Sequence, residues 1–177
     1  RILIHASIYD EFMKEFIPQV NNFSIGPVIS ENHMQKVLSY IELAKEEGGE
    51  ILTGGEQSGE NGFFIPPTVI TGLEPDSRCS TEEIFGPVVT IHTFHSDEEA
   101  IAIANNTDYG LAGSVWSKQR GMAVAEKIES GMIWVNTWLH RDLRVPFGGV
   151  KDSGLGREGG RWSLEFFSQP INICVMD

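Results

Sequence analysis

The sequence has few cysteines and few basic residues, and each shortage excludes a class of protein. The two cysteines, Cys79 and Cys174, lie far apart without a CxxC spacing, which argues against a disulfide framework or a zinc site. The 13 Lys plus Arg against 25 Asp plus Glu give a formal net charge of −12. Such a charge argues against binding nucleic acid or an anionic membrane by neutralising phosphates. The five histidines show no metal-ligand spacing, so no metal is expected.

Long apolar runs are also missing. No stretch reaches the roughly eighteen uninterrupted apolar residues of a membrane span, and residues 1–5 lack the layout of a signal peptide. We therefore expect a cytoplasmic protein without a membrane segment. The chain begins without methionine and directly on a predicted buried strand, which is an unusual start for a natural domain. We expect a fragment of a longer protein.

The sequence does contain short apolar runs that alternate with helical patterns. The runs are rich in β-branched residues and have the length of buried strands; they are residues 1–5, 50–53, 68–70, 87–94, 113–117 and 132–136. The clearest helical pattern covers residues 30–48, with Ser30 placed to cap its start and Gly48 its end. Further helices are predicted near residues 9–17, from the capping box at 96–99 onward, over about 120–129, and from near 158.

This alternation predicts an α/β fold with a mainly parallel sheet and helices on both of its faces. No linker divides the chain, so we expect one domain over residues 1–168. The remaining residues, 169–177, contain alternating apolar side chains after Pro170 and predict a terminal strand. Such a strand needs an edge to pair with.

A glycine-dense segment, residues 146–160, contains the pattern GxGxxG at 154–159. In a dinucleotide-binding loop this pattern follows a strand and precedes an acidic residue by about twenty positions. Here the last convincing strand ends near Asn136, and the required acidic position lies past Asp177. We therefore expect a structural glycine turn before a helix.

Two carboxylates, Glu82 and Glu83, stand before Phe85 and a Gly-Pro break. One interpretation is an ordinary exposed helix end. The other is a carboxylate placed to accept hydrogen bonds from a polyol such as a ribose, with Phe85 offering a flat apolar face. Spacing alone leaves both open. Cys79 precedes this pair without a histidine nearby, and we do not expect a catalytic thiolate there.

A polar loop, residues 136–146, follows the strand predicted at 132–136. Ligands of open α/β sheets gather beyond the carboxyl ends of strands, so substrate contacts are expected in this loop. Arg141 and Arg144 suit a bidentate contact with a carboxylate. Pairing with Asp142 or another local acid is the alternative, and the sequence does not choose between them.

Four ordered motifs together resemble the aldehyde dehydrogenase superfamily. They are EEIFGP at 82–87, NNTDYGLA at 105–112, WVN at 134–136 and PFGGVKDSGLGRE at 146–158. The resemblance implies an NAD(P)-dependent enzyme that oxidises an aldehyde to an acid through a cysteine thioester. It also implies that the nucleophile, the general base and the dinucleotide-binding domain lie upstream, so no residue of this chain is assigned a catalytic role.

On the cofactor side, Glu83 resembles the glutamate that binds the nicotinamide ribose hydroxyls in this family. Phe85 resembles the aromatic residue that packs beside the nicotinamide. The expected cofactor is NAD, with NADP as the second candidate.

On the substrate side, Phe147 resembles the aromatic residue that lines the substrate tunnel, and Asn136 the asparagine that ends the preceding strand. Arg141 occupies a tunnel-lining position, where an arginine implies an anionic substrate; Arg144 joins it in the predicted substrate set. Residues 138–147 look most like the branch that oxidises 2-hydroxymuconic and 2-aminomuconic semialdehydes. The implied substrate is a small aldehyde that carries a carboxylate.

The resemblance also concerns assembly. The terminal strand at 169–177 resembles the family's contribution to an intersubunit sheet, which implies a homodimer or homotetramer. The connector at residues 18–25 is shorter than is usual in the family. Two alternatives remain: a catalytically inactive, truncated or structural protein of the same fold, and an independent nucleotide-binding module based on residues 154–159.

Overall fold

The structure, a computed structural model, describes residues 1–59 and 61–176. The chain divides into two compact units, Arg1–Asn106 and Thr107–Asp177. Among the residues described, no helix is both long and apolar enough to cross a bilayer.

The first unit contains a four-stranded sheet with helices. In chain order its elements are β1 (Ile2–His5), a 3-10 turn (Ala6–Ile8), α1 (Tyr9–Asn21), α2 (Glu31–Glu46), β2 (Glu50–Thr53), β3 (Thr68–Thr71), α3 (Arg78–Thr81), β4 (Val88–Phe94) and α4 (Asp97–Asn105). The strand order is β1-β4-β3-β2. β4 pairs in parallel with β1 and with β3, whereas β2 pairs antiparallel with β3. The described residues of the connection from β2 to β3, 54–59 and 61–67, form no helix, and antiparallel neighbours need no crossover.

Helix α2 forms as the sequence predicts. The Ser30 hydroxyl accepts a hydrogen bond from the His33 amide at 3.2 Å and caps the start. Met34, Val37, Ile41 and Ala44 are buried on one face, so this stripe supplies much of the apolar core. Gly48, with φ of +88°, ends the helix region in the left-handed conformation that glycine adopts readily.

Helix α1 runs further than predicted. The pattern suggests an end near residue 17, yet the helix continues through Pro18 to Asn21. Proline removes one amide donor, but its carbonyl still accepts from the Asn22 amide at 3.2 Å. The last turn therefore closes after the proline.

The second unit consists of two strand pairs and two helices. Its elements are β5 (Tyr109–Gly110), β6 (Ala112–Val115), α5 (Gly121–Ala125), β7 (Met132–Val135), β8 (Val150–Lys151) and α6 (Gly160–Phe167). β6 and β7 pair in parallel across α5, and β5 pairs antiparallel with β8. Helix α5 is shorter than the predicted 120–129 because the chain continues in turns after Ala125. Helix α6 begins two residues after the predicted start.

Residues 168–176 form neither helix nor strand in the single chain, and Asp177 lies outside the described residues. The alternating apolar side chains are exposed; they are Ile171, Ile173 and Val175. A β-strand forms only by pairing with the edge of another strand. The strand predicted at 169–177 therefore stays a prediction that depends on a partner chain.

His92 lies inside the first unit, and its burial predicts that the stability of the fold depends on pH. Its side chain on β4 is only 4% exposed, and Nε2 lies 3.1 Å from the Thr90 hydroxyl. Burial, aided by the positive charge of Arg1, lowers the pKa of His92 from 6.5 to about 4. The folded state thus disfavours the proton that the unfolded chain takes up. The contribution of neutral His92 to the free energy of unfolding is therefore complete above about pH 6.5 and is lost as the pH falls towards 4.

From pH 7 to 5, we expect the free energy of unfolding to fall by about 2 kcal/mol on account of His92. Urea unfolding at both pH values measures this change. His92→Gln should remove most of it, whereas His95→Gln, an exposed neighbour beyond the strand, should not. An unchanged pH dependence in His92→Gln would exclude this residue as the cause.

Candidate functional site

The predicted site residues are divided between the two units. The cofactor candidates, Glu83 and Phe85, belong to the first unit, and the substrate candidates belong to the second; these are Asn136, Arg141, Arg144 and Phe147. Among the described residues no group of three or more His, Cys, Asp or Glu is arranged to hold a metal ion.

In the first unit, Glu82 is committed to structural contacts. Its carboxylate accepts hydrogen bonds from Arg78 Nε at 2.7 Å and from the Tyr40 hydroxyl at 2.6 Å. These two donors, Arg78 first, lower the pKa of Glu82 to about 2. Glu82 therefore anchors the end of α3 and is not a free ligand group.

Glu83 is exposed, and its carboxylate has no hydrogen-bond partner among the residues described. Its main-chain carbonyl instead accepts from Lys36 Nζ at 3.2 Å. Two positions later, the Phe85 carbonyl accepts from His33 Nε2 at 2.7 Å. His33 and Lys36 stand on adjacent turns of α2, so one helix face holds the main chain on both sides of the buried Ile84.

Phe85 is held in an unusual conformation. Its φ is +58°, a region that costs free energy for a bulky L-residue, and its side chain is 72% exposed. A Cβ on the next residue, Gly86, would lie 2.5 Å from Val37, so only glycine fits the turn. Strained backbone that displays an apolar ring to solvent indicates a functional position.

The Glu83 and Phe85 pair suits a nucleoside. A carboxylate accepts hydrogen bonds from vicinal hydroxyls, and an exposed aromatic face packs on a flat ring. Of the two adjacent glutamates, Glu82 is engaged by Arg78 and Tyr40, whereas Glu83 keeps an exposed carboxylate; a ribose contact by Glu83 stays a prediction.

In the second unit, Asn136 closes the end of the β6–β7 pair. Its φ is +54°, which asparagine tolerates better than most residues. Its amide oxygen accepts from the Ser117 amide at 2.8 Å, and its amide nitrogen donates to the Ser117 carbonyl at 2.9 Å. These bonds fix where the following loop leaves the strand. Direct substrate contact by Asn136 stays a prediction.

Two tryptophans hold that loop in place. Trp134 on β7 is buried, and its Nε1 donates to the His140 carbonyl at 2.8 Å. The Trp138 ring packs edge-on against it, with 4.8 Å between ring centroids. The start of the loop is therefore tied to the strand just before Arg141.

Arg141 forms a cluster with Phe147 and Glu158. The guanidinium lies 4.0 Å from the centroid of the Phe147 ring, and its Nη2 donates to the Glu158 carboxylate at 2.8 Å. The main chains of Phe147 and Glu158 exchange two hydrogen bonds of 2.8 Å each. The sequence did not single out Glu158 as a site residue; it entered only as the last residue of the motif at 146–158 and as the approximate start of a helix. We call these three residues the Arg141 cluster.

Arg144 is not part of the Arg141 cluster. Its guanidinium binds both oxygens of Asp142, two residues away, and the side chain is exposed. This ion pair lowers the pKa of Asp142. For Arg144 the structure shows local pairing with Asp142, one of the two alternatives that the sequence allowed, and a substrate contact stays a prediction.

Two of the glycines at 154–159, Gly156 and Gly159, lie in tight packing. A Cβ on Gly156 would lie 2.3 Å from the Phe166 ring, and one on Gly159 would lie 2.3 Å from the Val145 carbonyl oxygen. The preceding strand, β8, is short and antiparallel to β5, unlike the parallel strand that feeds a dinucleotide loop. The structure agrees with the interpretation of this segment as a structural turn.

Cys79 is unsuited to nucleophilic catalysis. It is buried, and its thiol donates to the Tyr40 carbonyl at 3.2 Å. Burial, followed by the Glu47 carboxylate, raises the pKa of the Cys79 thiol to about 12. The thiolate that attacks a carbonyl is therefore not formed here at neutral pH.

Comparison with known proteins confirms the resemblance that the motifs indicated. The sequence model of the aldehyde dehydrogenase family matches residues 1–173. The chain is 44% identical to the 2-aminomuconic semialdehyde dehydrogenase of Mus musculus, over 99% of this chain and 40% of that protein. It is 43% identical to the 2-hydroxymuconic semialdehyde dehydrogenase of Pseudomonas putida, over the same shares. The chain thus spans about 40% of the length of these relatives.

Solved structures confirm the α/β fold. A betaine aldehyde dehydrogenase from Staphylococcus aureus in complex with NAD+ superposes with a TM-score of 0.89 and 40% identity, over 94% of this chain and 36% of that chain. An NAD-dependent aldehyde dehydrogenase from Sinorhizobium meliloti gives a TM-score of 0.92 and 38% identity, over 96% and 36%.

Proposed function

Because the chain belongs to the aldehyde dehydrogenase family, we propose that it is the carboxyl-terminal part of an NAD(P)+-dependent enzyme that oxidises a carboxylate-bearing semialdehyde to the acid. The observation that carries the substrate class is the Arg141 cluster, in which an arginine is oriented on an aromatic ring. The relatives named for muconic semialdehydes, at 43 to 44% identity, support the same class.

The proposed chemistry passes through a cysteine thioester. NAD+, when bound, accepts the hydride of the aldehyde. Cys79 is buried and protonated, and Cys174 lies in the exposed terminal segment. We therefore propose that residues outside this sequence supply the thiol nucleophile and the general base, and that residues 1–177 alone lack dehydrogenase activity.

On the cofactor side, we propose that Glu83 binds the ribose hydroxyls and that Phe85 packs beside the nicotinamide. Support comes from the exposed carboxylate of Glu83 and from the strained, exposed placement of Phe85. His33 and Lys36 hold the main chain at both residues, so the pair is oriented before the cofactor arrives.

On the substrate side, we propose that Arg141 binds the substrate carboxylate and that Phe147 lines the path of the aldehyde. Asn136 sets the start of the loop through Ser117. Arg144 is retained as a second, weaker candidate because its fork is already occupied by Asp142.

Assembly into a homodimer or homotetramer is part of the proposal, with residues 1–168 as a catalytic domain and 169–177 as an oligomerisation strand. The exposed, alternating apolar side chains of the terminal segment support it, because a row of this kind gains free energy by pairing with another edge. A cytoplasmic location stays a prediction.

Glu83→Ala tests the cofactor assignment in the native gene product. Loss of a hydrogen bond to a charged acceptor costs about 1.5 to 3 kcal/mol, so we expect the KM for NAD+ to rise about 10- to 100-fold. NADH formation with 2-hydroxymuconic semialdehyde is the measurement. Glu74→Ala, an exposed acid of the same unit, serves as the control and should change the KM less than about twofold.

Two outcomes of this assay oppose the proposal. An unchanged KM in Glu83→Ala would remove Glu83 from the cofactor site. A native gene product that assembles normally but oxidises no aldehyde with either NAD+ or NADP+ would favour the inactive or structural alternative.

A further inference from the structure

Glu158 contacts Arg141 through its side chain and Phe147 through its main chain. The main chain exchanges two hydrogen bonds with Phe147, each 2.8 Å long. The side chain reaches the Arg141 guanidinium, also at 2.8 Å. A change confined to the Glu158 side chain therefore leaves the support of the Phe147 ring in place.

The contacts restrain Arg141 from two directions. The Phe147 ring covers one face of the guanidinium at 4.0 Å, and Glu158 binds its edge. The Arg141 side chain is 30% exposed, less than half the exposed fraction of the Glu158 side chain, 63%. A free arginine side chain samples many rotamers, and ordering it on binding costs affinity. Because the contacts with Phe147 and Glu158 already order the Arg141 side chain, less conformational entropy is lost when a ligand binds.

The pair also leaves donors for a ligand. A guanidinium carries five N–H donors, and one Nη2 bond goes to Glu158. Among the described residues, the other Arg141 donors have no hydrogen-bond acceptor. Glu158 thus orients the fork without occupying the pair of donors that a bidentate carboxylate requires.

On the basis of the proposed function, we propose that Glu158 is a positioning residue that holds Arg141 ready to receive the carboxylate of the semialdehyde substrate. Glu158 does not contact the substrate in this proposal; it acts through Arg141. Its negative charge opposes an incoming carboxylate slightly, so its benefit is geometric. Glutamine, which keeps the acceptor oxygen without the charge, should replace it.

The test measures KM and kcat of the native gene product with 2-hydroxymuconic semialdehyde and with a neutral aliphatic aldehyde. We expect Glu158→Ala to raise the KM for the carboxylate-bearing substrate about 5- to 10-fold, with kcat and the neutral substrate changed less than about twofold. Glu158→Gln should restore the KM to the wild-type value or below it. Glu165→Ala removes a different exposed ion pair, that with Arg161 on α6, and should have no effect on either substrate.

Several outcomes overturn this role for Glu158. Equal losses on both substrates, a fall in kcat alone, or failure of Glu158→Gln to restore the KM would each contradict a positioning role. Arg141→Ala distinguishes a failure of the role of Glu158 from a failure of the proposed substrate class. If Arg141→Ala discriminates between the substrates and Glu158→Ala does not, the role of Glu158 is wrong while the proposed function stands; if neither discriminates, the proposed substrate class fails.

Discussion

Arg141→Ala should raise the KM for a carboxylate-bearing semialdehyde by about 30-fold or more. Truncating one member of a desolvated charge pair costs about 2 to 5 kcal/mol, much of it because the other charge is left unpaired. The neutral aldehyde has no such charge, so we expect its KM to change less than about threefold. The measurement is the ratio of the two KM values in the native gene product.

A matched control comes from the same unit. Arg161 on α6 is exposed and pairs with Glu165, so Arg161→Ala removes an equal charge away from the Arg141 cluster. It should leave the KM ratio at its wild-type value. Equal losses on both substrates in Arg141→Ala would show that Arg141 supports the loop and does not select the substrate.

The helices were predictable because their signals are local. The cap at Ser30 and the apolar spacing of α2 lie within one run of residues. At 96–99 the Ser96 hydroxyl accepts from the Glu99 amide as a capping box requires, while the Glu99 carboxylate accepts from the His95 amide, one residue before the N-cap. The orientation of β2 was not predictable in the same way. Alternation of strands and helices suggests crossovers, but the part of the β2–β3 connection that the structure describes forms no helix, and the pair is antiparallel.

The sequence identified residues of the candidate site but not the contacts between them. Through the family resemblance, the motif at 82–87 singled out Glu83 and Phe85 as cofactor candidates, but it did not predict that Tyr40 and Arg78 engage Glu82. Tyr40 lies on another helix, and no spacing rule predicts that contact. Arg141 and Glu158 are likewise 17 positions apart. Their pairing depends on how the chain returns after the loop.

Gly131 of the second unit supports the prediction of a large loss of stability. A Cβ on Gly131 would lie 1.6 Å from the carbonyl oxygen of Gly148. The main chain fixes the position of the Cβ, and the atom that it meets is a main-chain oxygen, so no side-chain rotation relieves the clash. Gly131→Ala must push away residues 148–149, which directly follow Phe147 of the Arg141 cluster. We expect a loss of more than about 4 kcal/mol in the free energy of unfolding, measured by urea denaturation.

The size of the clash should set the size of the loss. A Cβ on Gly148 would lie 2.7 Å from the Gly156 carbonyl oxygen, so Gly148→Ala should be destabilising to a smaller degree. A Cβ on Gly26 would meet no atom within 4 Å, and Gly26→Ala should stay within about 1 kcal/mol of the wild type. A Gly131→Ala protein as stable as Gly26→Ala would mean that the main chains at 131 and 148 are not in contact.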